Sequence, residues 1–263
     1  MFTALWRRNR GTTLAGHHAV VTGGGRGIGR ATARALAHAG AVVTVMGRTA
    51  ATLIDTVDRG DASAYAVADV TDRASVDAAI KDAEAECGPI SILVANAGAA
   101  ESAPFGKSSP DLFRQMFEVN TLGSVHAMQA VLGGMIERGF GRVVAIASTA
   151  GLKGYGYVSA YCAAKHAVVG LVRAVAAETI KTGVTVNAIC PGFTDTDIVD
   201  QSLQRIMQTT GRSREDALAG ILKGTPLGRL IKPEEVAAAV VFLCLPEAAA
   251  ITGTTLPIAA GEI

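Results

Sequence analysis

Two residues four apart in one helical stretch have the side chains needed to move a proton at a carbonyl oxygen. They are Tyr161 and Lys165, and side chains with this spacing lie on the same face of a helix. A free tyrosine has a pKa of about 10, and a neighbouring ammonium group favours the phenolate and lowers that pKa. The pair predicts that Tyr161 acts as a general acid or base for a carbonyl–alcohol pair.

Two further polar residues are expected to serve the same chemistry. Ser148 directly follows an apolar, strand-like run, and its hydroxyl is predicted to hold the carbonyl oxygen. Asn120 lies inside a long helical pattern, where asparagine is unfavourable. We expect it to kink the helix and to hold a water molecule linked to Lys165. The predicted catalytic residues are therefore Asn120, Ser148, Tyr161 and Lys165.

A glycine cluster between a strand-like run and a helix-like run predicts a nucleotide site. Such a turn lets the backbone approach a pyrophosphate, and the helix N-terminus adds unpaired N–H donors and positive potential. Glycines also simply make turns, so the strand before and the helix after are what favour a nucleotide here. The residues predicted at the cofactor are Gly23, Gly25, Arg26, Gly27, Ile28 and Gly29.

The end of the second strand-like run distinguishes between the two nicotinamide cofactors. A protein that prefers NAD usually has an acidic side chain there, which bonds the ribose hydroxyls. This chain has Gly47 followed by Arg48, and a guanidinium can bind a 2′-phosphate bidentately. Arg26 is expected to add a second positive charge. The pattern favours NADP(H), with NAD(H) as the second choice, against an ordinary solvated arginine at position 48.

Two other strand ends are candidates for the same pocket. Asp69, followed by Val70, is placed to accept a hydrogen bond from an adenine amino group. The segment Asn96, Ala97 and Gly98 predicts a tight turn at the same edge of the sheet. Either segment could instead be plain turn chemistry or a helix cap.

These residues must be positioned by an α/β fold. Apolar β-branched runs alternate with alanine-rich segments of helical period, a pattern that predicts a parallel sheet with helices on both faces and a single domain over residues 14–263. Residues 1–13, with the basic segment Trp6–Arg10, are predicted to be a mobile extension, and residues 192–226 a substrate loop or lid. The predicted strands are His18–Thr22, Val42–Met46, Ala64–Ala68, Ile90–Ala95, Arg142–Ala147, Val184–Cys190 and Thr254–Ile258. The predicted helices are Ile28–Ala39, Ser75–Glu86, Asp111–Glu137, Ser159–Lys181 and Pro233–Leu245.

Composition excludes several classes of function. The chain has 263 residues, of which 49% are hydrophobic and 18% charged, and its net charge is +1. Near-neutral charge argues against a nucleic-acid partner, and no apolar run is long enough to predict a membrane span. Four scattered cysteines without a CxxC pair predict reduced thiols and a cytoplasmic location. Cys162 and His166 are four apart, but one helix supplies only two ligands, so no metal is predicted.

In combination, these motifs resemble the short-chain dehydrogenase/reductase family from about residue 14 to residue 261. The markers occur in the family's order, and they are Thr22-Gly23-x3-Gly27-x-Gly29, Asn96-Ala97-Gly98, Asn120, Ser148, Tyr161-x3-Lys165 and Pro191-Gly192. The resemblance implies a Rossmann-type, doubly wound sheet of about seven strands. It also implies that Tyr161 transfers the proton, that Lys165 lowers its pKa and binds the nicotinamide ribose, and that Ser148 positions the carbonyl.

The resemblance extends to the cofactor and to self-association. It implies that Ile189, Pro191 and Gly192 contact the nicotinamide, with Thr194 or Thr196 near its carboxamide, and that Asp69 and Val70 flank the adenine. A homotetramer or dimer is expected through the helices at Asp111–Glu137 and Ser159–Lys181. The chain departs from the family at Ala95, where an asparagine is common, and at Ala259-Ala260-Gly261 in place of Asp-Gly-Gly.

The sequence also indicates a substrate class. The pattern is similar to 3-oxoacyl-thioester and polyketide ketoreductases and to 3-hydroxybutyrate dehydrogenases. The latter bind a free carboxylate through a histidine and a lysine, where this chain has Ala150 and Val158. Predicted substrate contacts are Ser148, Ala150, Tyr155 and Phe193, within an apolar pocket that also includes Leu152, Tyr157, Val158 and Ile198, unless these side chains serve core or dimer packing.

The prediction is an NADP-dependent oxidoreductase that interconverts a hydrophobic ketone or 3-oxoacyl thioester and a secondary alcohol. An alternative is an NAD-dependent dehydrogenase of a hydrophobic secondary alcohol or a 3-hydroxyacyl-CoA. A non-catalytic, NADP-sensing scaffold is a further alternative, but such a protein is expected to lose Ser148, Tyr161 or Lys165, and none is lost.

Overall fold

A computed structural model of the chain describes residues 13–263. Apart from Thr13, the predicted N-terminal extension lies outside the described residues. A single sheet of seven strands, all parallel, has the order β3-β2-β1-β4-β5-β6-β7. The strands are β1 (His18–Thr22), β2 (Val42–Gly47), β3 (Ala64–Val67), β4 (Ile90–Ala95), β5 (Gly141–Ile146), β6 (Val184–Pro191) and β7 (Thr255–Ile258). Every predicted strand lies within one residue of an observed one, which confirms the doubly wound fold class.

Helices cover both faces of this sheet. One face holds α1 and α9, which pack together over a core that includes Leu36, Val236 and Val240, and the other holds α3, α5 and α6 over a second core. The central strands β1, β4, β5 and β6 are buried along their whole length, as expected for a sheet covered on both sides. The helices are α1 (Gly27–His38), α2 (Ala50–Asp58), α3 (Arg73–Cys87), α4 (Pro110–Phe117), α5 (Gly123–Glu137), α6 (Ser159–Thr179), α7 (Asp197–Thr210), α8 (Arg214–Leu222) and α9 (Pro233–Cys244).

The strand order creates a crevice beside β1. The chain runs from β1 to β2 and β3 on one side, then returns to place β4 on the other side of β1. Connections therefore leave β1 and β4 in opposite directions, and open α/β sheets bind ligands at the carboxyl ends of strands at such a point. The glycine cluster follows β1 and the Asn96 turn follows β4, so both lie at this crevice.

Two predicted segments contain more structure than the sequence pattern indicated. The long helix expected at Asp111–Glu137 is divided into α4 and α5 by a π-helical turn at Glu118–Leu122. The loop predicted at residues 192–226 contains α7 and α8, which have a small core of their own formed by Val199, Leu203 and Ala217.

One described helix, α6, is long and apolar enough to meet the length and composition of a membrane span. Core helices can meet the same criteria, and α6 packs against β6 and the short turn after β5. It also contains Tyr161 and Lys165.

Candidate active site

The turn between β1 and α1 is too tightly packed for side chains at its glycines. A Cβ atom added at Gly29 would lie 2.2 Å from the Gly23 carbonyl oxygen, and one at Gly24 would lie 2.5 Å from Val45 Cγ1. Gly23 has a φ of 65°, a left-handed conformation that glycine adopts without strain. The turn thus has the bare backbone that a pyrophosphate group requires.

The N-terminus of α1 has no cap from its own side chains. Its N-cap residue, Arg26, makes no side-chain capping hydrogen bond, and its first turn contains no acidic residue. The first N–H groups of a helix lack partners within the helix, and together with the dipole they favour an anion. Positions 23–29 therefore fit a dinucleotide pyrophosphate.

The Arg26 side chain is engaged differently from the expectation. Its guanidinium donates a hydrogen bond of 2.9 Å to Asp197, the first residue of α7. In this arrangement its charge is paired with a carboxylate and joins the glycine turn to the substrate loop. This ion pair is largely exposed to solvent, and Arg26 and Arg48 both stay predictions as contacts of a 2′-phosphate.

Arg48 and Asp69 lie close together at the ends of β2 and β3. Hydrogen bonds from the Thr71 backbone N–H and hydroxyl hold the pKa of Asp69 below its ordinary value, and the charge of Arg48 acts in the same direction. Asp69 therefore forms the local turn that the sequence left as an alternative to an adenine contact. Val70, which follows it, is buried.

The Asn96 turn fastens β4 to the glycine turn. The side-chain amide of Asn96 donates to the Thr22 and Gly23 carbonyls at 2.8 and 3.3 Å, while the Thr22 hydroxyl oxygen accepts from the backbone N–H groups of Asn96 and Ala97. The turn therefore supports the nucleotide cradle, whether or not it contacts a cofactor. Gly98 continues towards Lys165, whose Nζ would lie 3.5 Å from a Cβ at that position.

Asn120 occupies the π-helical turn and is fully buried. Its amide nitrogen donates to the carbonyls of Ala99 and Met116, both at 2.9 Å, and its amide oxygen accepts from the Ala99 N–H at 3.3 Å. The helix is interrupted here by the π-helical turn, and the Asn120 side chain ties this turn to the segment that follows β4. The water link to Lys165 stays a prediction.

Ser148, Tyr161 and Lys165 converge at the carboxyl end of β5. Lys165 is buried, donates from Nζ to the Ile146 carbonyl at 2.9 Å, and lies 5.8 Å from the centre of the Tyr161 ring. The Ser148 hydroxyl oxygen accepts from the Ala150 N–H at 3.1 Å, and the Ser148 side chain lies close enough to Tyr161 to oppose the rise in the pKa of that phenol. The serine, the phenol and the ammonium thus form one contiguous group.

Burial dominates the protonation of this group. It raises the pKa of Tyr161 to about 12, against an opposing effect of Ser148. It lowers the pKa of Lys165 to about 8, with a smaller opposing effect of Cys190. In this structure Ser148 is therefore the group that favours the phenolate, and the lowering of the Tyr161 pKa by Lys165 stays a prediction.

A cavity of about 890 Å³ opens next to these side chains. It brings together all four predicted catalytic residues, the four predicted substrate contacts and the predicted nicotinamide contacts at positions 191–196. Leu152 was predicted in the pocket, but it packs against the core on the face of the sheet that holds α3, α5 and α6. The lining includes Asn120, Ser148, Ala150, Tyr155, Tyr157, Val158, Tyr161, Lys165, Pro191, Gly192, Phe193, Thr194, Thr196 and Ile198.

The rim of the cavity contains residues that the sequence did not single out, some of them within the predicted substrate loop at residues 192–226. The segment from Ala99 to Lys107 forms one side, and α7 forms the other through Ser202, Arg205 and Ile206. Arg205 bridges the two sides by an ion pair of 3.5 Å with Glu101. The position of the 99–107 segment directly after β4 was the available signal, since ligands bind at the carboxyl ends of strands.

Cys162 and His166 are joined by a hydrogen bond within one turn of α6. The His166 Nδ1 atom is hydrogen-bonded to the Cys162 carbonyl at 2.9 Å. Within residues 13–263, no cluster of three or more His, Cys, Asp or Glu side chains has the arrangement of a metal site.

A family model for short chain dehydrogenases matches residues 17–206, which include the glycine turn, Asn120, Ser148, Tyr161 and Lys165. The chain belongs to the short-chain dehydrogenase family. A relative that supports this assignment is the 3-oxoacyl-(acyl-carrier-protein) reductase FabG of Vibrio harveyi, which is 38% identical over 94% of this chain and 98% of its own length. The D-beta-hydroxybutyrate dehydrogenase of Cupriavidus necator is 35% identical over 91% and 95%.

Solved structures of the family agree with this placement. An actinorhodin polyketide ketoreductase variant, solved with NADPH, superimposes with a TM-score of 0.90 at 35% identity, over 95% of this chain and 98% of its own. The predicted family and oxidoreductase class are confirmed by these relatives, which are named as reductases and dehydrogenases. The substrate and the roles of individual residues remain proposals.

Proposed function

We propose that this short-chain dehydrogenase uses NADPH to reduce a hydrophobic ketone or a 3-oxoacyl thioester to a secondary alcohol, and that it catalyses the reverse reaction with NADP. The observation that carries the proposal is the convergence of Ser148, Tyr161 and Lys165 on one wall of a cavity of about 890 Å³. The nucleotide cradle begins at the same crevice of the sheet. One site therefore offers an acid/base pair, a cofactor cradle and room for a substrate.

Ser148 and Tyr161 have different roles at the carbonyl oxygen. Ser148 donates a hydrogen bond that orients the carbonyl, and Tyr161 gives its phenolic proton to that oxygen during reduction. A pKa of about 12 keeps Tyr161 protonated before the reaction, as a proton donor requires. Lys165 replaces the proton or stabilises the phenolate, and Asn120 holds the adjoining segment in place through Ala99.

A nicotinamide dinucleotide, when bound, supplies or accepts the hydride. The turn at positions 23–29 would hold its pyrophosphate and Lys165 its nicotinamide ribose. The remaining residues proposed to contact it are Arg48, Asp69, Val70, Asn96, Ala97, Gly98, Tyr161, Pro191, Gly192, Thr194 and Thr196.

NADPH is favoured over NADH by the charge at the end of β2. Gly47 leaves that position without a carboxylate, and Arg48 is exposed beside it. The ketoreductase variant with a TM-score of 0.90 was solved with NADPH, in agreement with this choice.

Arg48→Asp is expected to lower the ratio of kcat/KM with NADPH to that with NADH by roughly tenfold to a hundredfold, the size of one lost charged contact. Lys81→Asp, an equal change of charge on the exposed side of α3, is the matched control, and an unchanged ratio for Arg48→Asp would remove the assignment.

The cavity lining favours an apolar substrate. Ala150 and Val158 offer no charge to a free carboxylate, and Tyr155, Phe193 and Ile198 add apolar surface. The relative from Vibrio harveyi is named for a 3-oxoacyl thioester. The relative named D-beta-hydroxybutyrate dehydrogenase supports a dehydrogenase as the second candidate. In that candidate the chain uses NAD to oxidise a hydrophobic secondary alcohol or a 3-hydroxyacyl-CoA.

The deciding experiment follows the absorbance of reduced nicotinamide with NADPH and, in parallel, NADH. The ketone panel runs from acetoacetyl thioesters to bulky aromatic ketones and free keto acids, and the reverse direction is run with the matching alcohols. Turnover of a thioester or apolar ketone with NADPH is expected, and Tyr161→Phe should abolish it while NADPH binding, measured by fluorescence, stays nearly intact. The alcohols are tested with NAD and, in parallel, NADP, and preferred use of NAD with them would select the second candidate. Tight NADPH binding without turnover would overturn the enzyme proposal in favour of a sensor.

A further inference from the structure

A buried carboxylate lies behind the substrate cavity, outside every motif of the family. After β7 the backbone turns back at Ala260 and Gly261, both of which have positive φ values. The turn places the side chain of Glu262 against the segment after β6, where it is only 5% exposed. Acidic side chains are seldom buried to this degree unless they are paired, so the contacts of Glu262 define its role.

The partners of this carboxylate come from the segment between β5 and α6. Its Oε1 atom accepts a hydrogen bond of 2.6 Å from the Tyr155 hydroxyl and forms an ion pair of 3.0 Å with Lys153. The Lys153 ammonium also donates to the Glu262 carbonyl at 3.4 Å. A residue after the last strand is thus bound to one wall of the active site.

The direction of the hydrogen bonds follows from the number of protons. An ionised carboxylate only accepts, so the single Tyr155 hydroxyl proton points to Glu262. The Thr149 hydroxyl, 2.7 Å from the Tyr155 oxygen, must then be the donor in that contact. Burial, followed by the hydrogen bond with Glu262, raises the pKa of Tyr155, so its proton is retained. The hydroxyl is therefore fully used within the protein, and Tyr155 offers the cavity its ring.

The same wall includes two neighbours of Tyr155. The Phe193 ring meets the Tyr155 ring edge-on, with 6.0 Å between their centres. Gly192 packs close to the carboxylate, because a Cβ there would approach Glu262 Oε2 to 3.1 Å. Oε2 is buried and has no hydrogen-bond partner among the described residues. Tyr155, Gly192 and Phe193 line the cavity while Glu262 stands behind them.

We propose that Glu262 is a positioning residue that fixes the wall formed by Tyr155, Gly192 and Phe193 and thereby sets the size of the substrate that the cavity accepts. It acts through the Tyr155 hydroxyl and has no contact with the reacting atoms. The inference rests on the proposed ketone reduction, since it concerns the cavity in which that reaction takes place. The wall is held in place by two hydrogen bonds, from Thr149 to Tyr155 and from Tyr155 to Glu262, and by the ion pair of Glu262 with Lys153.

Glu262→Ala is expected to free the Tyr155 ring and widen the cavity. With NADPH saturating, KM for the best small ketone of the wild-type panel should rise roughly tenfold while kcat changes less than about twofold, as expected when binding rather than chemistry is affected. The ratio of kcat/KM for a bulky aromatic ketone to that for the small ketone should rise. Glu262→Gln keeps an oxygen that accepts from Tyr155 and should recover most of the wild-type KM.

A double-mutant cycle tests the path through Tyr155. Tyr155→Phe removes the same hydrogen bond, so Tyr155→Phe combined with Glu262→Ala should have about the same KM as either single variant, since coupled residues are not additive. Glu247→Ala changes an exposed acid between α9 and β7 and should match the wild type. Melting temperatures of all the variants identify any that fail to fold, in which case Tyr155→Phe and Glu262→Gln still decide between the outcomes.

Four outcomes would overturn the inference. Unchanged KM and size selectivity in Glu262→Ala would show that the wall does not depend on the carboxylate. Additive effects in the cycle, or a loss of kcat alone, would show that Glu262 does not act through Tyr155. Absence of ketone reduction by the wild type would overturn the proposed function and this inference with it.

Discussion

Lys165 illustrates how position in the fold changes the chemistry of a single residue. In an exposed helix its ammonium would titrate near 10.5, but burial lowers its pKa to about 8. The main interaction that compensates in this structure is the hydrogen bond to the Ile146 carbonyl. A buried ammonium with a shifted pKa beside a cavity is typical of a functional site, which agrees with the role proposed for Lys165.

The pH dependence of stability should reveal this burial. Between about pH 8 and pH 10 the unfolded chain keeps the Lys165 proton that the folded chain has released, and stability rises with pH wherever the unfolded state binds more protons. The free energy of unfolding of the wild type relative to Lys165→Met should therefore rise across this interval, by roughly 1.4 kcal/mol per pH unit at most. Urea titrations at pH 7, 8, 9 and 10 measure it. Parallel curves for the two proteins would contradict the lowered pKa.

The grouping of Ser148, Tyr161 and Lys165 could be predicted from residue types and spacing, since one helix face and one strand end place them; their catalytic roles stay predictions. Their protonation could not be predicted, because it depends on burial by distant parts of the chain. Glu262 was missed for a related reason. An isolated glutamate after the last strand matches no motif, and its importance follows only from the turn at Ala260 and Gly261.

At the scale of elements, the π-helical turn contains a predicted site residue, Asn120, and the sequence predicted it only in part. An asparagine in a helical pattern predicted a kink, but the pattern gave no sign that the helix divides into α4 and α5. α2 was not predicted either, and α7 and α8 were treated as loop. α2 and α8 have only nine residues each, which is little for a periodic pattern. α7 was missed although its apolar residues Val199, Leu203 and Ile206 recur with helical spacing.

The contribution of Asn120 to this junction can be measured. Asn120→Ala would leave the carbonyls of Ala99 and Met116 and one N–H group without their side-chain partner. Removing such a buried partner costs about 1–3 kcal/mol, and the free energy of unfolding should fall by that amount. Chemical denaturation monitored by circular dichroism provides the value. Glu118→Ala in the same turn is exposed and should change stability by less than about 0.5 kcal/mol, and a similar loss in both variants would assign the effect to the helix alone.

At the scale of the whole molecule, alternating strand and helix patterns predicted a parallel sheet with helices on both faces. The order of its strands could not be read from periodicity, which carries no information on which strands pair. The resemblance to the family supplied that part of the prediction. The same limit applies to self-association, because a pattern does not distinguish a face covered by a second copy from one covered by solvent.

The outer face of α6 is where we expect a second copy. This face has small or polar residues at Ala163, His166, Gly170, Ala174 and Ala177, all exposed in the protomer, and small residues let two helices approach closely. Only 18% of the residues are charged, against about 25% in an average domain, which agrees with surface buried in an oligomer. The predicted homotetramer or dimer would use this face together with α4 and α5.

Gly170→Glu separates this possibility from effects within one protomer. A Cβ at Gly170 meets nothing within 4 Å, so the protomer accommodates the larger side chain, and replacing a helix-interior glycine favours the helix. In an assembly packed through α6, however, the carboxylate would be buried against its own copy. Light scattering after size exclusion should show a dimer or tetramer for the wild type and a smaller species for Gly170→Glu. Gly220→Glu, at an equally open position in α8, should keep the wild-type mass, and an unchanged mass for Gly170→Glu would place the interface elsewhere.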